Sequence, residues 1–235
     1  MKQENLALHL EGLSLTEGLN WVAHTFNKVK FSTALGEEDQ VLTHLISTLQ
    51  LPIEIFTLDT GRLFAETYDL LGLTTTHYKK SIQVYFPEAH AVEQYVQSKG
   101  INGFYDSIEN RKQCCQIRKV EPLRRALANA DLWITGLRSS QSNNRQQMKK
   151  VEWDEGMNII KYNPLLNWSD DQLKEFIEQH KVPVNALHKK GFASIGCAPC
   201  TRAILPGEDL RAGRWWWESS AKECGLHSTK VAVSN

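Results

Sequence analysis

The stretch "VKFSTALGEEDQVLTHLISTL", residues 29–49, changes its period halfway along. Its first seven residues, "VKFSTAL", form a β-type run. After Gly36 the apolar residues Val41, Leu42, Leu45, Ile46 and Leu49 recur at helical spacing. A strand that turns directly into a helix is half of a crossover unit, and the same alternation continues down the chain. "IEIFTLD" (53–59) reads as a buried strand, "RLFAETYDLL" (62–71) as a helix, "IQVYF" (82–86) as a strand, "AVEQYVQSK" (91–99) as a helix and "DLWITGL" (131–137) as a buried strand. Upstream, Leu15, Leu19, Val22, Phe26 and Val29 keep three- and four-residue intervals behind Ser14 and Thr16, an opening helix with a hydroxyl cap. Strands separated by helices of this length predict an α/β fold, a mostly parallel sheet flanked by helices with right-handed crossovers.

The chain has 235 residues, 41% of them hydrophobic, enough for one full-sized domain with a sizeable core. Lys plus Arg equal Asp plus Glu at 27 each, so no global positive field holds a nucleic-acid backbone and an anion site must be local. "MKQENLALHLEG" lacks a signal-peptide core and "LPIEIFTLD" is too short to span a bilayer, so a cytoplasmic protein without membrane attachment is expected. Five cysteines in a reducing compartment are expected to be ligands or nucleophiles rather than disulfides. From about residue 139 the pattern breaks. "RSSQSNNRQQMKK" reads as a surface loop or lid, "SDDQLKEFIEQH" as a helix opened by Ser169 and Gln172 as a capping box, and the remainder is rich in Gly, Pro, Cys and Trp. The division expected is a nucleotide-binding α/β domain over residues 1–206 and a mobile C-terminal tail over 207–235.

Ligands of an open parallel sheet sit beyond the carboxyl ends of its strands. Three polar clusters fall there: "STALGEED" (32–39), "LDTGR" (58–62, with Asp59) and "TGLR" (135–138, with Arg138). Ser32, Thr33 and the amides leading into the helix after Gly36 suit an anion or a nucleotide. Ordinary turn chemistry explains any one cluster alone, and three at one end of a sheet favour a site. In "RKQCCQIRKV" (111–120) Cys114 and Cys115 stand inside a positive cluster, and "GCAPC" adds Cys197 and Cys200. Four thiolates suit a tetrahedral zinc or a [4Fe–4S] cluster. An adjacent pair does not resemble a zinc knuckle, and side chains diverging by about 100° reach a large cubane more readily than a single ion. Iron–sulfur is therefore favoured over zinc, with two packing thiols as the plain alternative. The fifth, Cys224 in "KECGLH", has Lys222 and His227 near it to keep thiolate available. Arg211 and Arg214 in "RAGRWWWE" offer bidentate donors for phosphate or sulfate oxygens, and the three tryptophans cannot all face one core.

With those residues assembled, the sequence resembles the assimilatory adenylylsulfate (APS) reductases within the wider phosphoadenylylsulfate (PAPS) reductase family. The likeness runs through "STALGEEDQVL", "LDTGRLFAETY", "CCQIRKVEPLRRAL", "TGLR", "SIGCAPCTRA", "AGRWWWE" and "KECGLH". It implies an adenine-nucleotide α-hydrolase-like fold related to the PP-loop ATP pyrophosphatases. "FSTALGEED" departs from their glycine-rich loop by keeping only Gly36, which suits a phosphosulfate in place of a triphosphate. PAPS-specific relatives generally lack the four ligand cysteines. This chain has all five, and cluster-bearing members that take both nucleotides leave dual specificity open.

The resemblance further implies Cys224 as nucleophile and Cys114, Cys115, Cys197 and Cys200 as ligands of a [4Fe–4S] cluster. It implies Ser32, Thr33, Asp59, Lys119, Arg138, Arg211 and Arg214 at the substrate, with Lys119 between cluster and sulfate. The chain ends at Asn235 with no thioredoxin-like domain, so the electrons are expected from reduced thioredoxin or glutaredoxin. No nucleic-acid partner is expected, and homo-oligomerisation stays open. Two rivals remain at this point: a tRNA-thiolating ATP pyrophosphatase and a zinc module that binds nucleic acid. The missing glycine-rich loop and the balanced charge weigh against the first.

Overall fold

The computed structural model describes residues 3–141, 145 and 147–218. Six strands form one sheet in the order β3-β2-β1-β4-β6-β5. They are β1 (Val29–Thr33), β2 (Glu54–Leu58), β3 (Ile82–Tyr85), β4 (Leu132–Ile134), β5 (Val151–Asp154) and β6 (Ile159–Tyr162). Every neighbouring pair is parallel except β5 with β6. The chain winds outward from β1 to β2 and β3, then returns to place β4 on the other side of β1. The crevice between β1 and β4 is therefore the switch point of the sheet.

Helices α2 (Leu15–Thr25), α3 (Glu37–Thr48), α4 (Ala65–Tyr78), α5 (Ala89–Lys99) and α8 (Asp170–His180) fall where the periodicity puts them. Both Ser14 and Ser169 close full capping boxes, with Glu17 and Gln172. Helix α4 starts three residues later than the apolar pattern suggests. Arg62 belongs to the preceding turn, its N–H donating to Thr60 Oγ1 and its guanidinium to the Ile101 carbonyl. Two pieces had no reading in the sequence. Helix α1 (Gln3–Glu11) buries Leu6 and Leu10 against the first core cluster, a two-residue apolar stripe on an otherwise polar segment. The β5–β6 hairpin is made of four-residue strands joined by a turn in which Asn158 is left-handed and the Met157 N–H donates to Asp154 Oδ1.

The main core lies between the sheet and α1, α2, α3 and α8, centred on Phe31, Val41, Leu42, Ile46 and Tyr162. A second cluster of Phe56, Leu123, Ala126, Leu127, Trp133 and Ile159 covers the other face. Burying each such side chain contributes about 2 kcal/mol. A third, smaller cluster gathers Phe104, Cys115, Cys197, Cys200 and Trp215, with Cys114 and Trp217 against it. Among the described residues no helix is long and apolar enough to cross a membrane.

Candidate functional site

The three polar segments at the strand ends meet. A cavity of about 580 Å³ opens at the switch point, within the range of small-molecule sites. Its floor is Ser32, Thr33, Thr57, Leu58, Thr135 and Gly136, and its walls include Lys119, Arg138, Arg211 and Arg214. Ser32 Oγ accepts from Trp133 Nε1 at 2.8 Å, and Thr33 Oγ1 accepts the Leu35 N–H at 3.0 Å, so both hydroxyls are oriented by the protein. Asp59 is not in this lining. Its buried carboxylate accepts from the Gly61 N–H at 2.7 Å and the Tyr68 hydroxyl at 2.9 Å, which braces the turn. The residues this segment gives to the cavity are Asp59's two neighbours, Leu58 and Thr60.

The amides after β1 do not present themselves as an open anion nest. Leu35 is left-handed with φ 61°, and the Ala34 N–H donates to Asp39 Oδ2 at 2.6 Å. Burial pushes the Asp39 carboxyl up to about 7, although the Ala34 and Gly36 amides pull the other way. A Cβ at Gly136 would collide with Asp39 Oδ1, so glycine there makes room for this carboxylate. Glu37 and Glu38 also stand in the first turn of α3. Arg138 is held between Glu38 and Asp170 at 2.8 and 2.7 Å. The α3 end of the cavity is thus rich in carboxylates. The end formed by Lys119, Arg211 and Arg214 is the one whose charge suits an anion.

That cationic end borders a second cavity. Cys114, Cys115, Cys197 and Cys200 line it with Arg62, Arg111, Arg118 and Trp215, and Lys119 and Arg214 line both cavities. Helix α6 (Ile108–Cys115) carries the cysteine pair and runs through a π-helical turn (Gln116–Val120) into α7 (Glu121–Leu127). Pro122 has no N–H for the Arg118 carbonyl four residues back, which breaks the α-helical ladder here. The Arg118 guanidinium donates to the Thr60 carbonyl at 2.6 Å, and Thr60 Oγ1 lies 3.3 Å from Cys197 Sγ. The "GCAPC" loop is docked by the Ala198 N–H on the Arg62 carbonyl at 2.8 Å.

Burial pushes the Cys114 thiol up, and it pushes the Cys200 thiol up to about 12. Thiolates here therefore need a compensating cation. Among the described residues no three His, Cys, Asp or Glu side chains converge as one ion would require; the four thiols are spread around a shared space. Trp215 Nε1 and Trp217 Nε1 are buried beside them without an acceptor.

The tryptophan run divides as its spacing demands. Trp215 is 1% exposed and Trp216 41%, while Trp217 packs on Tyr105. Trp215 is left-handed with φ 40°, a conformation costing on the order of 1–3 kcal/mol for a bulky residue. Its N–H donates to the Cys200 carbonyl at 3.1 Å, and the Arg111 and Arg214 guanidinium carbons lie 4.6 and 4.8 Å from its ring. A Cβ at Gly196 would strike the Arg214 guanidinium, so this glycine clears Arg214's path to the cavity. Of the tail expected from residue 207, the part up to Glu218 is described. It packs back on the body through Arg202 N–H to Gly213 O and the Thr201–Arg214 bridge. Cys224, Lys222 and His227 lie outside the described residues, as do residues 142–144 and 146 of the expected lid.

Sequence reasoning missed Thr60, Arg118 and the carboxylates around Arg138. Thr60 and Arg118 sit in segments the sequence had singled out, "LDTGR" and "RKQCCQIRKV". Glu38 and Asp170 gave no signal of their own, because a first-turn carboxylate reads as helix capping.

Known proteins resemble this chain along most of its length. Adenosine 5'-phosphosulfate reductase of Allochromatium vinosum is 50% identical over 92% of this chain and 85% of its own. The enzyme of the same name from Burkholderia cepacia is 50% identical over 89% of this chain and 84% of its own. The crystal structure of phosphoadenylyl-sulfate (PAPS) reductase from Candida auris, a phosphate complex, superposes with a TM-score of 0.73 at 29% identity, covering 86% of this chain and 96% of that one. FMN adenylyltransferase of Candida glabrata, at 18% identity and a TM-score of 0.56 over 95% of this chain and 76% of that one, shares the fold. Residues 28–203 match the phosphoadenosine phosphosulfate reductase domain. That match spans β1, the cysteine pair and the C-x-x-C loop, and with these relatives it makes the chain a member of the phosphoadenosine phosphosulfate reductase family.

Proposed function

We propose that this protein reduces adenylylsulfate to sulfite and AMP in assimilatory sulfate reduction, with reduced thioredoxin as the two-electron donor. The observation that carries the reading is the shared wall: Lys119 and Arg214 line both the nucleotide-sized cavity and the four-thiol cavity. The relatives named for this reaction, about half identical along most of the chain, support it.

In this reading the adenosine lies at the strand ends near Ser32 and Thr33. The phosphosulfate points to Lys119, Arg211 and Arg214, and Arg138 exchanges part of its carboxylate pairing for the nucleotide. The Cys224 thiolate attacks the sulfur. An S–S bond forms, the S–O bond to AMP breaks, and AMP leaves with the electron pair on its phosphate oxygen. A thioredoxin thiolate then attacks Cys224 Sγ, sulfite departs with the bonding pair, and the second thioredoxin thiol resolves the mixed disulfide. Sulfur gains two electrons and two thiols become a disulfide, so the balance closes without another donor. Cys224 has to meet a nucleotide and then a protein in turn, and we assign that alternation to the chain beyond residue 207.

Cys114, Cys115, Cys197 and Cys200 would hold a [4Fe–4S] cluster. Four soft donors, the two unpartnered indole N–H groups and the flanking guanidiniums suit an anionic iron–sulfur centre. When bound it supplies fixed charge and rigidity beside the substrate. The test is an anaerobic assay of sulfite release from APS and from PAPS with reduced thioredoxin. Release from APS is expected, and its absence with both nucleotides refutes the reading.

A further inference from the structure

One face of the sheet carries a row of side chains that the chemistry just described does not use. In the strand register Glu54, Lys30, Trp133, Lys161 and Glu152 stand side by side across β2, β1, β4, β6 and β5. The row is tied at both ends. Lys30 Nζ lies 3.3 Å from Glu54 Oε2 and donates to the Ala126 carbonyl at 2.8 Å, while Lys161 Nζ lies 3.0 Å from Glu152 Oε1 and 3.6 Å from Asp154 Oδ2. At its centre Trp133 is buried with Leu123, Ala126 and Leu127 of α7, and the Lys161 ammonium is 5.4 Å from its ring centroid.

A buried indole needs an acceptor for its N–H. Trp133 finds one in Ser32 Oγ at 2.8 Å. Ser32 stands two residues beyond Lys30, the register partner of Trp133, and therefore on the same face of β1 and nearer the cavity. Any carbonyl would satisfy an indole, whereas a hydroxyl accepts one bond and still has a proton to give. With one lone pair of Ser32 Oγ committed to the indole, the hydroxyl proton is left for the cavity that Ser32 lines. A cation over the ring draws π density towards itself and strengthens the N–H as a donor, so Lys161 tightens this orientation.

We infer that Trp133 is a positioning residue for the nucleotide: through its N–H it makes the Ser32 hydroxyl a fixed donor to an acceptor atom of the bound adenine nucleotide. The inference rests on the reading of the larger cavity as the nucleotide site. Trp133 acts through Ser32, and Lys161 acts by holding and polarising the indole.

The experiment is a double-mutant cycle on AMP affinity, measured by calorimetry in the full chain purified anaerobically. Trp133→Phe keeps an aromatic ring and removes the N–H; Ser32→Ala removes the hydroxyl. One hydrogen bond to the nucleotide corresponds to about 10-fold in affinity, so each single variant is expected to weaken AMP binding by that factor. The double variant should lose no more than about 10-fold, because both changes remove the same bond. A tryptophan that merely filled space would weaken binding independently of the hydroxyl. Losses that multiply to about 100-fold therefore overturn the positioning role, as does parent affinity in either single variant. If Trp133→Phe fails to fold, 3-benzothienylalanine at position 133, with sulfur in place of the indole N–H and nearly the same shape, takes its place in the cycle under the same expectations. A parent protein that binds no AMP overturns the nucleotide reading itself, before the cycle begins.

Discussion

The two cavities share Lys119 and Arg214 and are otherwise built on opposite plans. The larger is made where strands end: its floor is hydroxyls and backbone, its α3 end holds carboxylates paired with Arg138, and the fold itself supplies the concavity. The smaller is made by distant segments brought together, residues 62, 104, 111–119, 197–200 and 214–215, and its walls are sulfur, aromatic rings and cations. The first is a property of the topology and the second a property of side chains. They should therefore fail differently when altered.

The largest effect should come from Cys224, which lies outside the described residues. Cys224→Ser is expected to abolish sulfite formation while leaving AMP binding and iron content near parent values; sulfite production at the parent rate would end the proposed mechanism. Next, replacing Cys197 with Ser should remove iron and activity together, from a parent content of about four irons and four sulfides per chain. Iron analysis and absorption spectra check this. Full iron retention would show that the thiol cavity has been misread.

The shared wall should give an intermediate result. Lys119→Ala is expected to lower kcat by about 10²–10³, the range seen when one preorganised electrostatic donor is removed, with a smaller change in AMP affinity. Steady-state kinetics beside AMP titration separate the two.

The acidic end predicts a pH signature. Asp39 holds its proton in the folded protein up to about 7, whereas the unfolded chain releases it near 3.8. The folded state then binds more protons across that window, so stability falls as pH rises from about 4 to about 7, by up to roughly 1.4 kcal/mol per pH unit. Asp39→Asn should flatten the slope in urea titrations at several pH values. An unchanged slope would mean that Asp39 titrates normally. The smallest effect belongs outside both cavities: Ser14→Ala, removing the α2 cap, should cost about 1 kcal/mol and leave turnover unchanged.

The same contrast explains what the sequence reveals. Strands β1 to β4 and the strand-end clusters are legible because each is local: a run of apolar residues, then a turn, then a helix. The cysteines are legible because thiols are rare and chemically distinct. Asp59 against Thr60 was not legible, since both residues follow β2 and only the turn geometry decides which faces the cavity. The β5–β6 hairpin escaped because four residues are too few for a period to declare itself, and α1 because Leu6 and Leu10 alone make its buried stripe. The pairings of Arg138 and Arg111 join residues about a hundred positions apart, and no local pattern encodes a partner at that distance.

The π-helical turn after Cys115 bears on how this helix tolerates a change of length. A π turn is an α-helix lengthened by one residue without losing its ends, so residues 116–120 hold one residue more than a regular helix would. Because the bulge absorbs that residue locally, the segments on either side keep their faces, and Cys114 and Cys115 share a wall with Lys119. A deletion scan along residues 108–127 should find the loss of one residue tolerated better within 116–120 than in α6 or α7, where it turns the preceding side chains by about 100°.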